Sequence, residues 1–183
     1  MQNESQRRVV VTGIGVVTPL ATDIDTFWDR LTAGESGIHE LTILDTSKYK
    51  VHFGGDIRDF SVADYVEHRE IKRLDRFTQF AMHAGGQAVA DSGIDFDQTE
   101  RCRCGVISGS GIGGMNEIEI QIARMLSKGP DRVSPFTVPK MMLNAAGGNL
   151  SIKYGLTGPN YAVATACAVS YTHLTLPTIT SGC

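Results

Sequence analysis

The sequence has little that would direct the protein to a nucleic acid, a membrane or a zinc ion. Its 17 Lys and Arg are balanced by 20 Asp and Glu, and the formal net charge of −3 gives no reason to expect a nucleic acid or an anionic membrane as partner. It has no apolar run long enough to cross a membrane, and its first eight residues are too polar and too short for a signal peptide. These absences favour a cytoplasmic protein whose cysteines stay reduced.

The four cysteines do not have the spacing of a zinc site. Cys102 and Cys104 form a C-x-C pair, and no C-x-x-C pair accompanies them. Internal repeats and low-complexity segments are absent, and the 20 Gly and six Pro are scattered instead of being massed in a linker. We therefore expect no domain boundary within the main part of the chain, and we assign it no metal and no cofactor.

What the sequence does contain is an alternation of strand and helix patterns, which is typical of an α/β layered domain. The predicted strands are residues 7–12, 51–57, 104–108 and 161–166. The predicted helices are a first one capped by Asp23 or Asp25 and ending before Gly34, followed by residues 72–92, 115–127 and 138–154.

Two glycine motifs follow predicted strands. The first, Gly13-x-Gly15, has Thr18 in place of the third glycine of a dinucleotide-binding motif, and Pro19 stands where the helix should continue, so the pattern favours a structural turn. The second, residues 109–114, lies between a strand and a helix, where backbone amides can cradle phosphate, but it lacks the Lys-Ser/Thr of a P-loop. Close backbone approach explains these glycines better.

A basic cluster lies at the start of the longest predicted helix. Glu70 and Asp75 interrupt it, which suits an ordinary solvated face, whereas a docking patch for an acidic partner is the functional alternative. Its cations are Arg69, Lys72, Arg73 and Arg76.

Cys167 closes a run of small residues at the end of the last predicted strand. A lone cysteine between apolar residues is usually a small buried side chain. The small neighbours would nevertheless leave room for a substrate beside the sulfur, and a helix beginning there would favour the thiolate.

Four segments together resemble the elongating β-ketoacyl-acyl carrier protein synthases of type II, which have the thiolase-like fold. The segments are residues 8–13, 109–114, 134–139 and 166–168, and the resemblance covers residues 7–168. It implies that residues 1–168 form a partial ketosynthase N-terminal domain. The corresponding fold is the N-terminal half of an αβαβα layered sandwich, truncated just after the nucleophile.

The resemblance implies a decarboxylative condensation in fatty acid elongation. Cys167 would attack the thioester of an acyl carrier protein, so that the acyl group moves to the cysteine and the carrier thiol leaves. Malonyl carrier protein would then be decarboxylated, and its carbanion would take the acyl group, which grows by two carbons. The implied partner is acyl carrier protein bearing acyl and malonyl groups, and the full-length relatives are homodimers.

The resemblance also assigns substrate and docking residues. Ile112 matches the gate of the family's acyl tunnel. Thr137 and Val138 match a segment that reaches across the dimer into the acyl pocket, and Thr137 stands where some members carry phenylalanine. The residues that match the carrier-docking patch are Arg69, Lys72 and Arg73.

Residues 169–183 depart from the family pattern. Val169 stands where the family has a small residue, and no Lys, Arg, Asp or Glu follows it. We expect a non-family tail that is either translated from a sequencing adapter or disordered. The family's two catalytic histidines and its lysine lie downstream, and none of the five histidines of this sequence sits in those motifs. This chain alone is therefore expected to be inactive.

Two alternatives remain open at the level of sequence. A ketosynthase of polyketide assembly shares the same motifs. A truncated, non-catalytic protein that binds carrier protein or a full-length subunit would also keep the docking residues.

Overall fold

The computed structural model describes residues 9–165. Its helices are α1 (Ile24–Thr32), α2 (His68–Ile71), α3 (Arg76–Ser92), α4 (Met115–Lys128), α5 (Thr137–Met141) and α6 (Ala145–Tyr154). Its strands are β1 (His39–Glu40), β2 (Phe53–Gly54), β3 (Val106–Gly109) and β4 (Asn160–Val163), and short 3-10 turns cover Arg101–Arg103 and Pro130–Arg132. None of the helices within residues 9–165 is long and apolar enough to cross a membrane.

The described chain divides into two compact units. The first runs to Tyr65 and includes His83–Asp95, and the second consists of Val66–Met82 together with the residues from Phe96 onward. Helix α3 therefore contributes its first two turns to the second unit and the remainder to the first.

In the first unit, the Gly13-x-Gly15 segment packs directly on α3. A Cβ atom at Gly13 would collide with the carbonyl oxygen of Ala88, and one at Gly15 with that of Ala84. Only hydrogen fits between the segment and the helix at these two positions. The glycine pattern thus has a packing role here.

The strand predicted over residues 7–12 is wrong for residues 9–12. These residues have no strand assignment, and the side chain of Val9 is 94% exposed. A strand exists only where a neighbouring strand accepts and donates its ladder of hydrogen bonds, and within residues 9–165 each of the four strands pairs with another one. A β-branched run without such a neighbour stays extended and unpaired.

Helix α1 begins as its sequence predicts. The side chain of Asp23 accepts a hydrogen bond from the backbone N–H of Thr26 at 2.9 Å, and that bond holds the pKa of Asp23 below its usual value. The helix ends before Gly34, whose φ of +75° is the left-handed conformation that favours glycine.

Strands β1 and β2 form an antiparallel pair of only two residues each, and the predicted strand 51–57 is correspondingly shorter. A buried carboxylate, Asp56, supports this pair. It accepts hydrogen bonds from the backbone N–H and the hydroxyl of Thr42, both at 3.2 Å, and it contacts His39 Nε2 and Arg58 Nε. Burial by itself would raise the pKa of Asp56, but the hydrogen bonds from Thr42 and His39 and the charge of Arg58 outweigh it, so the pKa lies well below its usual value.

In the second unit, β3 and β4 pair in parallel, with Val106 opposite Asn160 and Gly109 opposite Val163. Helix α6 covers one face of this pair with its buried residues Ala145, Ala146 and Gly147. A Cβ atom on Gly147 would lie 3.0 Å from Asn160 Oδ1, so the glycine permits the close contact. The predicted buried strand 104–108 is wrong in one respect, because Ile107 is 76% exposed.

Two helix boundaries differ from the prediction. The predicted helix 138–154 is two helices, because Met142 adopts an extended conformation with ψ of 135° and ends α5. The predicted helix 72–92 begins instead at Arg76, because the carboxylate of Asp75 accepts a hydrogen bond from the backbone N–H of Phe77 at 3.3 Å. That bond satisfies an amide at the helix start, as an N-cap side chain does.

The pH dependence of stability tests the role of Asp56. A carboxyl group with a lowered pKa in the folded state contributes stability that is present above its unfolded pKa of about 3.9 and is lost as the pH falls toward the folded value. We expect Asp56→Asn to unfold at lower urea concentration than the native chain at pH 7, and the difference to shrink below about pH 4. Urea titrations followed by circular dichroism between pH 2 and pH 7 measure this, and a difference that does not vary with pH would contradict it.

Candidate active site

A cavity lies at the carboxyl ends of β3 and β4. Its volume is about 420 Å³, which is within the range of small-molecule pockets. Its apolar wall includes Ile107 and Val163, and the buried hydroxyl of Ser108 has no hydrogen-bond partner within the described residues. Ligands of α/β proteins commonly bind where parallel strands end. The residues lining the cavity are Ile107, Ser108, Gly109, Ser110, Gly111, Val163 and Thr165.

The predicted nucleophile, Cys167, lies outside the described residues. The last described residue, Thr165, is two positions before it and lines the cavity. The described part of the chain therefore ends at this cavity.

Ile112 is exposed in the loop that joins β3 to α4. The hydroxyl of Ser110 accepts a hydrogen bond from the N–H of Gly113 at 3.0 Å, and Gly113 has a φ of +80°. Beyond it, the N–H of Gly114 donates to the carbonyl of Met141 at 3.1 Å. The loop that carries Ile112 is thus attached to the last residue of α5.

The N-terminus of α4 is capped from a distance. Its N-cap residue is Gly114, which has no side chain, and the carboxylate of Asp75 instead accepts a hydrogen bond from the N–H of Glu117 at 3.2 Å. Asp75 is only 7% exposed, and its other oxygen accepts from Phe77 in the first turn of α3. One carboxylate therefore caps two helices.

This arrangement also bears on the phosphate alternative for the glycine loop. A phosphate at the start of α4 would use the amides and the positive end of that helix. Asp75 already places a carboxylate against these amides. A second anion there would be repelled, so the geometry favours close packing as the role of the loop.

A buried polar network joins α4 to α5. Glu117, with a side chain 6% exposed, accepts from Lys140 Nζ at 2.9 Å and from Gln121 Nε2 at 2.8 Å. Gln121 Oε1 in turn accepts the backbone N–H of Ser134 at 3.0 Å. Because removal of one partner would leave the other charge buried and unpaired, the ion pair holds α5 in a definite place.

The two other predicted substrate residues lie at the start of α5. Thr137 is its first residue, and its hydroxyl donates to the carbonyl of Ser134 at 2.6 Å. Val138 follows with an exposed side chain. The Gly114–Met141 hydrogen bond brings this short helix together with the loop that carries Ile112.

The three predicted docking residues lie on and just after α2 and are all exposed. Arg69 pairs with Glu67 at 2.8 Å, and Arg73 pairs with Glu70 at 3.0 Å. Lys72 has no ion-pair partner within the described residues. The cluster is therefore an exposed cationic surface that is partly neutralised by its own acidic neighbours.

Sequence reasoning missed several residues that shape this region. In the sequence Asp75 interrupts the basic cluster, and nothing in the local pattern distinguishes it from a surface acid. Glu117 stands between Asn116 and Ile118, and only its burial in the structure identifies it as a network residue. The sequence pattern also does not indicate the cationic cavity of about 600 Å³ that is lined by Arg124, Lys128 and Arg132.

Known proteins resemble both the sequence and the structure. A family model described as "Beta-ketoacyl synthase, N-terminal domain" matches residues 6–181. The "3-oxoacyl-[acyl-carrier-protein] synthase 2" of Staphylococcus aureus (strain COL) is 43% identical over 162 residues, which is 88% of this chain and 39% of that protein. The chain thus spans about two fifths of the length of this relative.

Two solved structures show the fold. "The ishigamide ketosynthase/chain length factor" matches with a TM-score of 0.79 and 25% identity, over 88% of this chain and 40% of that one. A "type II PKS acyl-carrier protein in complex with its ketosynthase bound to the hexaketide" matches with a TM-score of 0.73 and 23% identity, over 87% and 42%. The predicted fold, the N-terminal half of a thiolase-like structure, is confirmed by these matches.

The double cap by Asp75 has a measurable consequence. We expect Asp75→Ala to lower the free energy of unfolding by about 2–4 kcal/mol, because two helices lose a cap and a buried amide is left without a partner. Asp23→Ala, which removes the single exposed cap of α1, is the matched control and should cost about 1 kcal/mol. Urea unfolding of both variants measures the difference, and equal losses would show that Asp75 stabilises only one helix.

Proposed function

The chain belongs to the β-ketoacyl synthase family, and we propose that it is the N-terminal part of a 3-oxoacyl-[acyl-carrier-protein] synthase that elongates acyl chains in type II fatty acid synthesis. The observation that carries this proposal is the 43% identity with a 3-oxoacyl-[acyl-carrier-protein] synthase over 88% of the chain. The full-length protein of the proposal is a cytoplasmic homodimer.

The proposed chemistry has two steps on one thiol. The Cys167 thiolate attacks the carbonyl carbon of the acyl thioester, a new thioester forms on the cysteine, and the sulfur of the carrier leaves as a thiolate. Malonyl carrier protein then loses CO₂, and its carbanion attacks the cysteine thioester and releases the Cys167 thiolate. The backbone N–H of Cys167 is the proposed donor to the oxyanion of each tetrahedral intermediate.

The cavity at the strand ends supports this assignment. Its apolar wall of Ile107 and Val163 suits an alkyl chain, and its glycines permit close approach of a bound group. Thr165, which lines the cavity, is two positions before the proposed nucleophile in the sequence. Ile112 is the proposed gate of the acyl tunnel, and Thr137 and Val138 belong to the proposed segment of the acyl pocket.

The exposed cations after α2 support an acidic protein as partner. We assign Arg69, Lys72 and Arg73 to docking of acyl carrier protein, because complementary charge raises the encounter rate and fixes orientation. One ketosynthase of the same fold has been solved in complex with an acyl-carrier protein.

Polyketide assembly is the second candidate, because one of the two solved ketosynthases described above is of that kind by name. Their identities of 25% and 23% concern the fold, whereas the higher identity is with a synthase of the fatty acid type. We therefore favour fatty acid elongation. A non-catalytic binding protein keeps the docking surface, and an acyl adduct on Cys167 would distinguish an enzyme from it.

Charge reversal tests the docking surface. We expect Lys72→Glu to weaken binding of holo-acyl carrier protein about tenfold, because a repulsive contact replaces an attractive one on the proposed surface. Lys50→Glu makes the same charge change at an exposed lysine that does not belong to the proposed docking surface. We expect it to change the dissociation constant less than twofold. Isothermal titration calorimetry at low and moderate salt measures both, and equal effects of the two variants would remove the assignment.

Mass spectrometry tests the nucleophile. Because the family's catalytic histidines are absent from this sequence, we expect the intact chain incubated with acyl carrier thioester at pH 7 to gain no acyl group. Alkylation with iodoacetamide shows in parallel whether the thiol is accessible, and Cys167→Ser is the control. An acyl adduct that is present in the native chain and absent from Cys167→Ser would contradict the expected inactivity and would assign the nucleophile directly.

A further inference from the structure

One docking residue contacts the substrate segment directly. The guanidinium carbon of Arg73 lies over the ring of Phe136, 5.3 Å from the ring centroid. Phe136 immediately precedes α5, whose first two residues are Thr137 and Val138. The proposed carrier-docking surface and the proposed acyl-pocket segment are therefore in contact at this pair.

The contact leaves Arg73 able to bind an acidic partner. A guanidinium that stacks on an aromatic ring uses its face, and its N–H groups point outward at the edge. One of these groups donates to Glu70 at 3.0 Å. A carboxylate of a docking partner can take the place of Glu70 while Arg73 remains on the ring.

Phe136 holds Arg73 in a way that the other docking cations are not held. Within the described residues, Arg69 makes two exposed ion pairs, with Glu67 at 2.8 Å and with Glu70 at 4.0 Å, and such pairs contribute little. An arginine that is already ordered loses less side-chain entropy when a partner binds it. Phe136 is thus a positioning residue for Arg73.

The same residue determines the start of α5. The carbonyl of Phe136 accepts the N–H of Lys140 at 3.0 Å, and the N–H of Phe136 donates to Ser134 Oγ at 3.2 Å. At the other end of α5, Lys140 is anchored by its ion pair with Glu117. The start of the helix, with Thr137 and Val138, is attached in two places: through Ser134, which is bonded to Gln121, and through the contact of Phe136 with Arg73.

We propose that the Arg73–Phe136 contact couples carrier-protein docking to the acyl-pocket segment, so that a partner bound to Arg73 orders the first turn of α5. This inference rests on the proposed function. Coupling of this kind is reciprocal, and a change at Phe136 must therefore alter the affinity for the carrier.

The experiment measures hydrogen exchange and affinity on the full 183-residue chain. The amides of Thr137, Val138 and residues 140–142 are followed with and without holo-acyl carrier protein, in the native chain and in Phe136→Leu, and calorimetry gives the dissociation constants. We expect the carrier to slow exchange of these amides in the native chain. Phe136→Leu should lose that protection and bind about two- to fivefold more weakly, which is the range of an exposed cation–π contact.

Three controls keep the result specific. Phe136→Tyr retains the ring and should restore both protection and affinity. Phe53→Leu changes an exposed phenylalanine of the first unit and should behave as the native chain. In an Arg73→Gln background, Phe136→Leu should have no further effect on affinity, because the contact is already absent.

The outcomes separate the inference from the function on which it rests. If Lys72→Glu weakens binding while Phe136→Leu retains native affinity and protection, the coupling is overturned and the docking assignment stands. If the native chain does not bind the carrier at all, the docking assignment fails and the coupling fails with it. Exchange of α6 amides, unchanged in every variant, shows that the fold is intact.

Discussion

The carboxylate of Asp75 accepts one hydrogen bond from the first turn of α3 and another from the first turn of α4. The two amides belong to helices that start about 40 residues apart in the chain, and the N-cap residue of α4, Gly114, has no side chain with which to cap it. Through the second bond, Asp75 determines where α4 begins, and with it the glycine loop that leaves β3. The geometry of the proposed substrate site follows from this single buried group.

Buried polar contacts between α4 and α5 then determine the position of α5. Glu117 makes two contacts: its backbone N–H donates to the carboxylate of Asp75, and its own carboxylate binds Lys140. The short helix α5 is too small to be stable by itself, because isolated helices of this length do not persist in water. Its position is therefore a property of the network, and so is the position of Thr137 and Val138.

Local patterns predicted well those elements whose ends are set by nearby residues. Helix α1 directly follows its cap Asp23, which bonds an amide only three residues away. The predicted end of α4 lies within one residue of the observed end. The patterns failed for elements whose formation or ends depend on residues far away in the sequence. The run at residues 9–12 has strand composition but no neighbouring strand among the described residues, and the helix expected over 138–154 is interrupted at Met142.

The sequence by itself determined the family, the fold class and the positions of the proposed site residues, because glycine loops, small-residue runs and charge clusters are short patterns that the backbone keeps together. Only the tertiary structure decided that Asp75 caps two helices and that Arg73 lies over Phe136. Asp75 looks like any surface acid in a basic stretch, and its partner Glu117 is 42 residues away. Contacts at such separations depend on how the elements pack, which no local pattern records.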